Sequence, residues 1–153
     1  MEFRPMRPGE EMAVSDLALG VFDQFVAPQF SSDGRQEFRS YADPHLLRLR
    51  SRWDHIVLLA LADDEIAGMI EVRDDGHVTL FFVEGGFQGN GVGGELLRRS
   101  LAICKRRNPD LSQATVNSSP NAVAIYERLG FRKAGAERAG DHIRSVPMIL
   151  DLR

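Results

Sequence analysis

Apolar residues in the first part of the chain follow a helical period. A short apolar run over residues 3–6 predicts a first strand, and beyond Gly9 the apolar residues return every four or five positions, which is typical of one face of a helix. We expect this face to lie in the core. Its members are Met12, Leu17, Val21 and Phe25.

Two features predict how the chain reaches its sheet. Residues 24–36 mix proline, serine, aspartate and glycine, which favours a loop. Asp43 and Pro44 then supply an N-cap and a first-turn proline for a helix that runs through residue 53. Two helices are therefore expected before the main strands.

The middle of the chain has the pattern of an antiparallel meander. Residues 56–62, 66–72 and 77–83 are apolar runs rich in β-branched residues, and short polar segments separate them. Asp75 and Gly76 have the composition of a hairpin turn. We therefore expect three consecutive antiparallel strands.

The last part of the chain alternates helices with short strands. An amphipathic helix is predicted over residues 95–107, followed by a strand at 113–116, a serine-capped helix within 118–130, and closing strands at 131–134 and 146–152. Gly130 is the expected C-terminal glycine of the last helix. The residues expected on the buried side of the first of these helices are Leu96, Leu97, Leu101 and Ile103.

Composition excludes several classes of protein. Of 153 residues, 43% are hydrophobic and 27% are charged, and no apolar run approaches the roughly 20 residues of a membrane span. A net charge of -3 argues against broad contact with nucleic acid. Cys104 is the only cysteine, so an internal disulfide is excluded, no zinc-ligand spacing occurs, and a reducing cytoplasmic setting is expected.

A glycine cluster is the feature richest in chemistry. Six of the 14 glycines lie between Gly85 and Gly94, after the third strand of the meander and before the amphipathic helix. A glycine-rich loop in this place directs unpaired backbone N–H groups and the positive end of the helix dipole at one spot. That spot suits a phosphate, and a pyrophosphate would use more of the donors. A flexible loop without a ligand is the alternative, but it would not need to join a buried strand directly to a helix.

The same glycines match the dinucleotide-binding pattern G-x-G-x-x-G. Residues 89–94 carry it, and Asp110 lies about 20 residues further on as a candidate ribose ligand. The pattern belongs to a unit of parallel strands, whereas hairpins precede the loop here. The surrounding elements therefore do not favour a nicotinamide-dependent oxidoreductase, which is the weakest of the functional hypotheses.

A second pattern fits its surroundings. Residues 88–93 (QGNGVG) match Q/R-x-x-G-x-G/A, and residues 117–131 (NSSPNAVAIYERLGF) match N-x-x-x-x-A-x-x-x-Y-x-x-x-G-F. With these two motifs the chain resembles the GCN5-related N-acetyltransferase (GNAT) family, in detail over residues 78–132 and in element order elsewhere. The resemblance implies one α/β domain over residues 1–153. Its mixed, mostly antiparallel sheet of about six or seven strands would splay between the fourth and fifth strands, with about four helices on its two faces.

The resemblance also implies acetyl-coenzyme A (acetyl-CoA) as cosubstrate, with its thioester arm in the splay. By position, the Phe81 N–H would face the thioester carbonyl and Val83 would pair with the pantetheine amides. Asn117 would either bond the same arm or cap the following helix. The N–H groups expected to take the pyrophosphate belong to Gln88, Gly89, Asn90, Gly91, Val92, Gly93 and Gly94.

Three side chains are candidates for catalysis, and no metal is expected. Tyr126 stands where the family has a tyrosine near the coenzyme sulfur, as a proton or hydrogen-bond donor to the leaving thiolate, with a core tyrosine as the alternative. Histone-acetylating relatives carry a glutamate at the position of His77, which is either a base or a solvated hairpin residue. Glu71, on the neighbouring strand, is either a second candidate base or an outward-facing charge.

The leading hypothesis is an N-acetyltransferase that moves acetyl from acetyl-CoA to a primary amine, on a small molecule or a peptide, by direct attack in a ternary complex. Cys104 lies within the amphipathic helix, away from the expected cleft, which argues against an acyl-enzyme. The alternative from another class is a regulatory module that binds acyl-CoA without turnover. No nucleic-acid or membrane partner is expected, and family members are often homodimers.

Overall fold

A computed structural model of the protein describes residues 1–139 and 144–153. The strands in these ranges are β1 (Glu2–Pro5), β2 (His55–Ala62), β3 (Glu65–Arg73), β4 (His77–Val83), β5 (Gln113–Ser118), β6 (Arg132–Lys133), β7 (Arg138–Ala139) and β8 (Arg144–Asp151). The α-helices are α1 (Glu11–Val21), α2 (Ser32–Tyr41), α3 (Pro44–Trp53), α4 (Val92–Arg107) and α5 (Val123–Arg128). None of these helices is both long and apolar enough to cross a membrane.

The strands form a mixed sheet in the order β1-β2-β3-β4-β5-β8-β6, and β7 pairs with the beginning of β8. Only β4 and β5 are parallel neighbours among the described strands. The predicted meander is β2-β3-β4, and its second turn uses Gly76 with a φ of 85°. A Cβ on Gly76 would lie 2.8 Å from the carbonyl oxygen of Gln113, so glycine is required where this turn meets β5. The predicted mixed, mostly antiparallel sheet is confirmed.

β4 and β5 stay together only briefly. Two residue pairs join them, His77 with Thr115 and Val78 with Val116. Thr79 follows as a bulge, because the register between β3 and β4 skips one residue of β4 there. A bulge bends its strand and increases its twist. β4 therefore turns away from β5 directly after Val78, and the predicted opening between the fourth and fifth strands is confirmed.

Each face of the sheet carries its own hydrophobic core. Face A lies under α4 and α5, and its buried residues include Ile56, Leu58, Ile70, Val72, Val78, Leu96, Leu97, Leu101, Val116 and Tyr126. Face B lies under α1 and α3, and its buried hydrophobic residues include Val14, Leu47, Val57, Leu59, Leu61, Met69 and Leu80. Each large aliphatic side chain buried in this way contributes about 1.5 to 3 kcal/mol to folding. The sheet thus separates two hydrophobic layers.

The region before β2 is more helical than predicted. Residues 24–36 are not a loop: α1 continues into a π-helical turn (Phe22–Val26) and a 3-10 turn (Ala27–Gln29), and α2 begins at Ser32. The Ser31 hydroxyl accepts a hydrogen bond from the Gly34 N–H at 3.0 Å and so caps α2. Serine and glycine occur both in loops and at the starts of helices. Ser31 and Gly34 were interpreted as loop residues, but they begin a helix. Three helices, rather than two, precede β2.

The predicted core face of α1 is only partly right. Met12 and Phe25 are 62% and 41% exposed, whereas Val14 and Ala18 are buried. Each residue advances about 100° around a helix, so Met12 lies opposite Val14. The π-helical turn changes this phase after residue 21, and Phe22 is buried in place of Phe25.

The later helices differ from the prediction mainly at their ends. Asp43 caps α3 as expected, because its carboxylate accepts from the N–H groups of His45 and Leu46 at 3.1 and 3.2 Å. α4 begins at Val92, three residues before the predicted start. α5 is shorter than predicted, and the expected serine cap is not formed by Ser119.

Candidate active site

The opening between β4 and β5 is lined by one edge of β4. The Glu84 N–H donates to a main-chain carbonyl on the β3 side at 2.8 Å. Main-chain groups of an antiparallel strand point alternately to its two sides. The N–H groups of Phe82 and Leu80 therefore point at β3, and those of Phe81 and Val83 point into the opening. These are the two amides that the sequence predicted for the thioester and the pantetheine arm.

The glycine-rich segment after β4 turns tightly. The Glu84 carboxylate accepts from the Gly86 N–H at 3.2 Å, and the Gln88 side-chain amide donates to the Val83 carbonyl at 2.9 Å. The carbonyl of Val83 is thereby engaged within the protein, while its N–H still points into the opening. This second use of Gln88 was not predicted, because the motif that contains Gln88 implied a role for its backbone N–H alone.

Two glycines of the segment adopt a left-handed backbone. Gly89 and Gly91 have φ values of 84° and 80°, and a Cβ on either would have no described atom within 4 Å. Glycine is favoured at these two positions because of the left-handed backbone conformation, and not because a side chain would clash with the rest of the chain. The side from which a Cβ would project is open to an approaching ligand.

The start of α4 supplies donors to the same place. The α4 N-cap is Gly91, which has no capping side chain, and the first amide to bond back is that of Glu95, to the Gly91 carbonyl at 3.1 Å. The N–H groups of Val92, Gly93 and Gly94 therefore lack partners inside the helix, as the first donors of any α-helix do. They add to the positive end of the helix dipole. This donor set fits an anionic pyrophosphate better than any neutral group.

Phe81 and the helix start are in direct contact. A Cβ on Gly93 would lie 3.4 Å from the Phe81 ring, so α4 approaches β4 closely at this residue. The amide edge of β4 and the amides of α4 therefore lie close together. The sheet around this loop is mostly antiparallel, which is not the parallel unit that the dinucleotide pattern requires.

Tyr126 lies on the face A side of the opening. Its ring is edge-on to those of Phe81 and Phe131, with centroids 6.0 and 5.4 Å apart. Burial raises the pKa of the Tyr126 phenol well above its usual value. At neutral pH the hydroxyl is therefore a hydrogen-bond donor, next to the residue whose amide points into the opening.

Asn117 lies on β5 just beyond the last residue pair with β4, and its side chain is exposed. It pairs with Pro147 of β8 through the backbone. Its side chain does not bond the N–H groups that begin the following helix, so the capping alternative is not found in the described residues. Asn117 is thus placed on the wall opposite Phe81.

His77 lies at the closed end of the opening, on face B. Its Nδ1 is 2.7 Å from the Thr115 Oγ1, and the ring is half-buried, so His77 is not a solvated hairpin residue. Burial first, and then the positive charge of Arg73, lower the pKa of the imidazole. The ring is therefore neutral at pH 7 and has a lone pair available on one nitrogen.

Glu71 is completely buried on face B, so the outward-facing alternative is wrong. Its carboxylate accepts hydrogen bonds from the hydroxyls of Thr79 and Tyr41 at 2.7 and 3.2 Å and from Nε of Arg50 at 3.0 Å. The Arg50 guanidinium also stacks on the Tyr41 ring, 3.7 Å from its centroid. These contacts tie the end of α2, α3 and the β4 bulge to β3. The carboxylate is thus bound by three donors within the protein and has no exposed surface.

Cys104 is buried in α4 on face A. Its Sγ lies 3.8 Å from the carbonyl oxygen of Arg73, and burial raises the pKa of the thiol to about 11. The thiol form is unreactive, as expected for a structural cysteine. Within residues 1–139 and 144–153, no group of three or more histidine, cysteine, aspartate or glutamate side chains is arranged to hold a metal.

A mixed sheet that opens after its fourth strand, with unpaired amides along one edge and at a glycine-rich helix start, defines the class of coenzyme A-dependent acyltransferases. The sequence profile of the acetyltransferase (GNAT) domain matches residues 26–152. The chain belongs to this family, as its motifs predicted. The cosubstrate is accordingly acetyl-CoA.

Solved structures share the fold at low sequence identity. A GCN5-related N-acetyltransferase from Rhodopseudomonas palustris is 17% identical, with a TM-score of 0.83 and coverage of 99% of this chain and 95% of that one. The PaiA N-acetyltransferase of Thermoplasma acidophilum, solved with coenzyme A, is 17% identical, with a TM-score of 0.80 and 98% of each chain covered. A ribosomal-protein-alanine N-acetyltransferase from Brucella melitensis is 16% identical, with a TM-score of 0.72, 99% of this chain and all of that one being covered (100%).

Proposed function

We propose that this protein transfers the acetyl group of acetyl-CoA to a primary amine by direct attack in a ternary complex. One observation carries the proposal: the amides of Phe81 and Val83 point into the opening, and the same strand leads to the unpaired donors at the start of α4. A continuous row of donors of this kind suits a ligand that has amides in its arm and a pyrophosphate at its end.

In this proposal the Phe81 N–H is the donor to the thioester carbonyl oxygen, where negative charge develops as the amine attacks. Loss of one such donor typically costs about 2.7 to 4 kcal/mol in transition-state stabilisation. The Val83 N–H and Asn117 hold the pantetheine arm from opposite walls. The N–H groups of residues 88–94 hold the pyrophosphate and so fix the thioester against Phe81.

Tyr126 is proposed to stabilise the leaving thiolate by a hydrogen bond. With a thiol pKa of about 8.5 and a phenol pKa of about 10, complete proton transfer from the phenol would be uphill by roughly 2 kcal/mol. Burial raises the pKa of Tyr126 further and makes complete transfer still less favourable. Hydrogen bonding without transfer is therefore the better description of its role.

His77 is the stronger of the two candidate bases. Holding a lysine-like amine with a pKa of about 10.4 in its neutral form at pH 7 costs roughly 4.6 kcal/mol, so a group that takes its proton is needed. His77 is half-buried with a lowered pKa, whereas Glu71 is enclosed by three donors. His77 lies four residues before Phe81 on β4, and the bulge at Thr79 shortens the strand between them. The His77 ring is therefore not next to the thioester, and we propose that the proton travels from the amine to the ring through a water molecule.

The two proposed catalytic groups lie on different sides of the opening. Tyr126 belongs to the face A core, and His77 lies on face B with Thr115. An amine that arrives from face B would meet the thioester carbonyl on one side, while the sulfur leaves toward Tyr126 on the other. This separation supports direct attack, and the buried, protonated Cys104 supports it further because no other cysteine is present.

The acceptor is proposed to be a primary amine of a small molecule or a peptide. We further propose that residues 1–139 and 144–153 belong to one acetyltransferase domain that works in the cytoplasm, where acetyl-CoA is available. Members of the family are often homodimers, so a homodimer is the oligomeric state to test first, by light scattering of the purified protein.

The function is tested in two stages. Calorimetry with acetyl-CoA, coenzyme A and NADH as separate ligands comes first, and we expect heat from the first two only. A panel of polyamines, amino acids and amine-ended peptides follows, with thiol release as the readout. Failure of acetyl-CoA to bind would refute the transferase proposal. Binding with no thiol release from any amine would favour the regulatory module instead.

A further inference from the structure

Thr115 contacts the ring of the proposed base. It stands on β5 directly across from His77, in one of the two residue pairs that join β4 to β5. Its Oγ1 is 2.7 Å from the His77 Nδ1. No motif of the sequence included it, because the contact joins residues that are 38 positions apart.

We propose that Thr115 is a positioning residue: its hydroxyl holds the His77 ring so that Nε2 is the nitrogen that receives the proton of the attacking amine. The proposal rests on the proposed function. Because Nδ1 is bonded on the β5 side, Nε2, across the ring, is left for a water molecule or the acceptor.

Nε2 can take a proton only in the neutral tautomer that carries its hydrogen on Nδ1, because the other tautomer already has a hydrogen on Nε2. In the Nδ1–H tautomer the ring donates to the Thr115 oxygen, across the 2.7 Å that separates the two atoms. When Nε2 takes a proton, the imidazolium keeps the same hydrogen bond from Nδ1. The β-branched side chain has a restricted χ1 angle, so its oxygen stays in one place throughout the step.

The proton and electron count of the step is simple. The ammonium form of the acceptor first gives one proton to His77 Nε2 through the water molecule, and the imidazolium returns it to solvent. The neutral amine nitrogen then attacks the thioester carbon, so that a C–N bond forms and the C–S bond breaks with its electron pair going to sulfur. The nitrogen releases its second proton to solvent, and the coenzyme thiolate gains an equivalent proton from solvent.

Other charged groups face His77 but do not bond its ring. Arg73 on β3 and His55 on β2 lower its pKa, and Asp75 in the turn raises it. Asp75 is itself paired with Arg73, with oxygen-to-nitrogen distances of 2.7 and 2.9 Å, and accepts from the His77 backbone N–H at 3.3 Å. Among the described side chains, Thr115 is therefore the one that can set the orientation of the ring.

Nuclear magnetic resonance of the ring nitrogens tests the positioning without any acceptor. The chain has four histidines, and a His77→Asn variant assigns the signal. Thr115→Val removes the hydroxyl at nearly constant shape, and Thr115→Ser keeps it. We expect a single tautomer in the wild type and in Thr115→Ser, and a mixture with a shifted titration midpoint in Thr115→Val. Identical His77 nitrogen shifts and midpoint in Thr115→Val would overturn the proposal.

Kinetics with an amine found in the panel provides the second test. We expect about a tenfold lower kcat in Thr115→Val, an acidic limb of the kcat/KM profile that moves with the His77 midpoint, and an unchanged Kd for acetyl-CoA. A pH profile that stays fixed while the His77 midpoint moves would also overturn the proposal. Failure of the proposed function itself can be told apart from these results, because the wild-type protein would then give no heat of binding with acetyl-CoA in calorimetry.

Discussion

Gly91 offers the sharpest test of the proposed pyrophosphate site. Two variants can separate the effect of its backbone conformation from the effect of a side chain placed near the ligand. Its φ of 80° is a left-handed conformation, which costs a residue with a Cβ roughly 1 to 2 kcal/mol. Asparagine tolerates this conformation better than a β-branched residue does. No described atom lies within 4 Å of a Cβ built at this position, so a side chain would meet no clash inside the chain itself.

We therefore compare Gly91→Val with Gly91→Asn. Valine should lower Tm by roughly 2 to 8 °C, since 1 kcal/mol corresponds to about 2 to 4 °C in a domain of this size, and asparagine should lower it less. If valine turns the backbone and misdirects one amide, a charge-assisted hydrogen bond worth about 1.5 to 3 kcal/mol is lost. Acetyl-CoA should then bind roughly 10- to 150-fold more weakly.

Melting curves and calorimetry with acetyl-CoA measure the two effects. Asparagine with near-normal affinity would mean that conformation alone explains the glycine. Weak binding by both variants would mean that the pyrophosphate passes too close to Gly91 for any side chain. Wild-type affinity in both variants would refute the assignment of this loop to the pyrophosphate.

Three further predictions concern other parts of the chain. Tyr126→Phe keeps the ring contacts with Phe81; we expect kcat to fall about 10- to 100-fold with an unchanged Kd for acetyl-CoA, and equal kcat values would contradict its role. Arg4 lowers the pKa of Glu10 to about 2 from 4.5, so the ion pair stabilises the fold fully above about pH 4.5 and is lost as the pH falls through about 2. Glu10→Gln should therefore lower the free energy of unfolding at pH 7, and its effect should shrink as the pH falls toward 2; an effect that stays constant over this range in urea titrations would contradict the ion pair. Gly20 lies near the end of α1, and a Cβ built on it has no described atom within 4 Å. Gly20→Ala should therefore raise the free energy of unfolding by about 0.5 to 1 kcal/mol, and a lower urea midpoint in the variant would contradict this reasoning.

Local patterns were enough to predict the elements that form the candidate site. The β2-β3-β4 meander followed from apolar runs with turn residues between them, and α4 followed from its leucine spacing. The anion site remains a prediction; it was inferred from glycines placed before a helix, because backbone donors there are a property of a few consecutive residues. The cap of α3 was predicted for the same reason, since Asp43 acts on amides two and three positions away.

Errors arose where a local pattern had two meanings or where packing chose between them. The serine and glycine that begin α2 were interpreted as loop residues. Met12 was assigned to the wrong face of α1, and the π-helical turn that follows α1 buries Phe22 in place of Phe25. The outward-facing alternative for Glu71 was wrong: the side chain is buried, and its carboxylate accepts from Arg50, which lies 21 positions away on α3.

The sequence by itself determined the family, the cosubstrate and the order of strands around the glycine loop, because each depends on residues that are close together in the chain. Only the tertiary structure decided which amides line the opening, that Thr79 is the bulge from which β4 departs, and that Thr115 bonds His77. Register, bulge position and cross-strand hydrogen bonds depend on the alignment of distant strands. The strands align so that the apolar residues on both faces of the sheet are buried at the same time. This condition involves all the strands together, so it cannot be read from any one segment of the sequence.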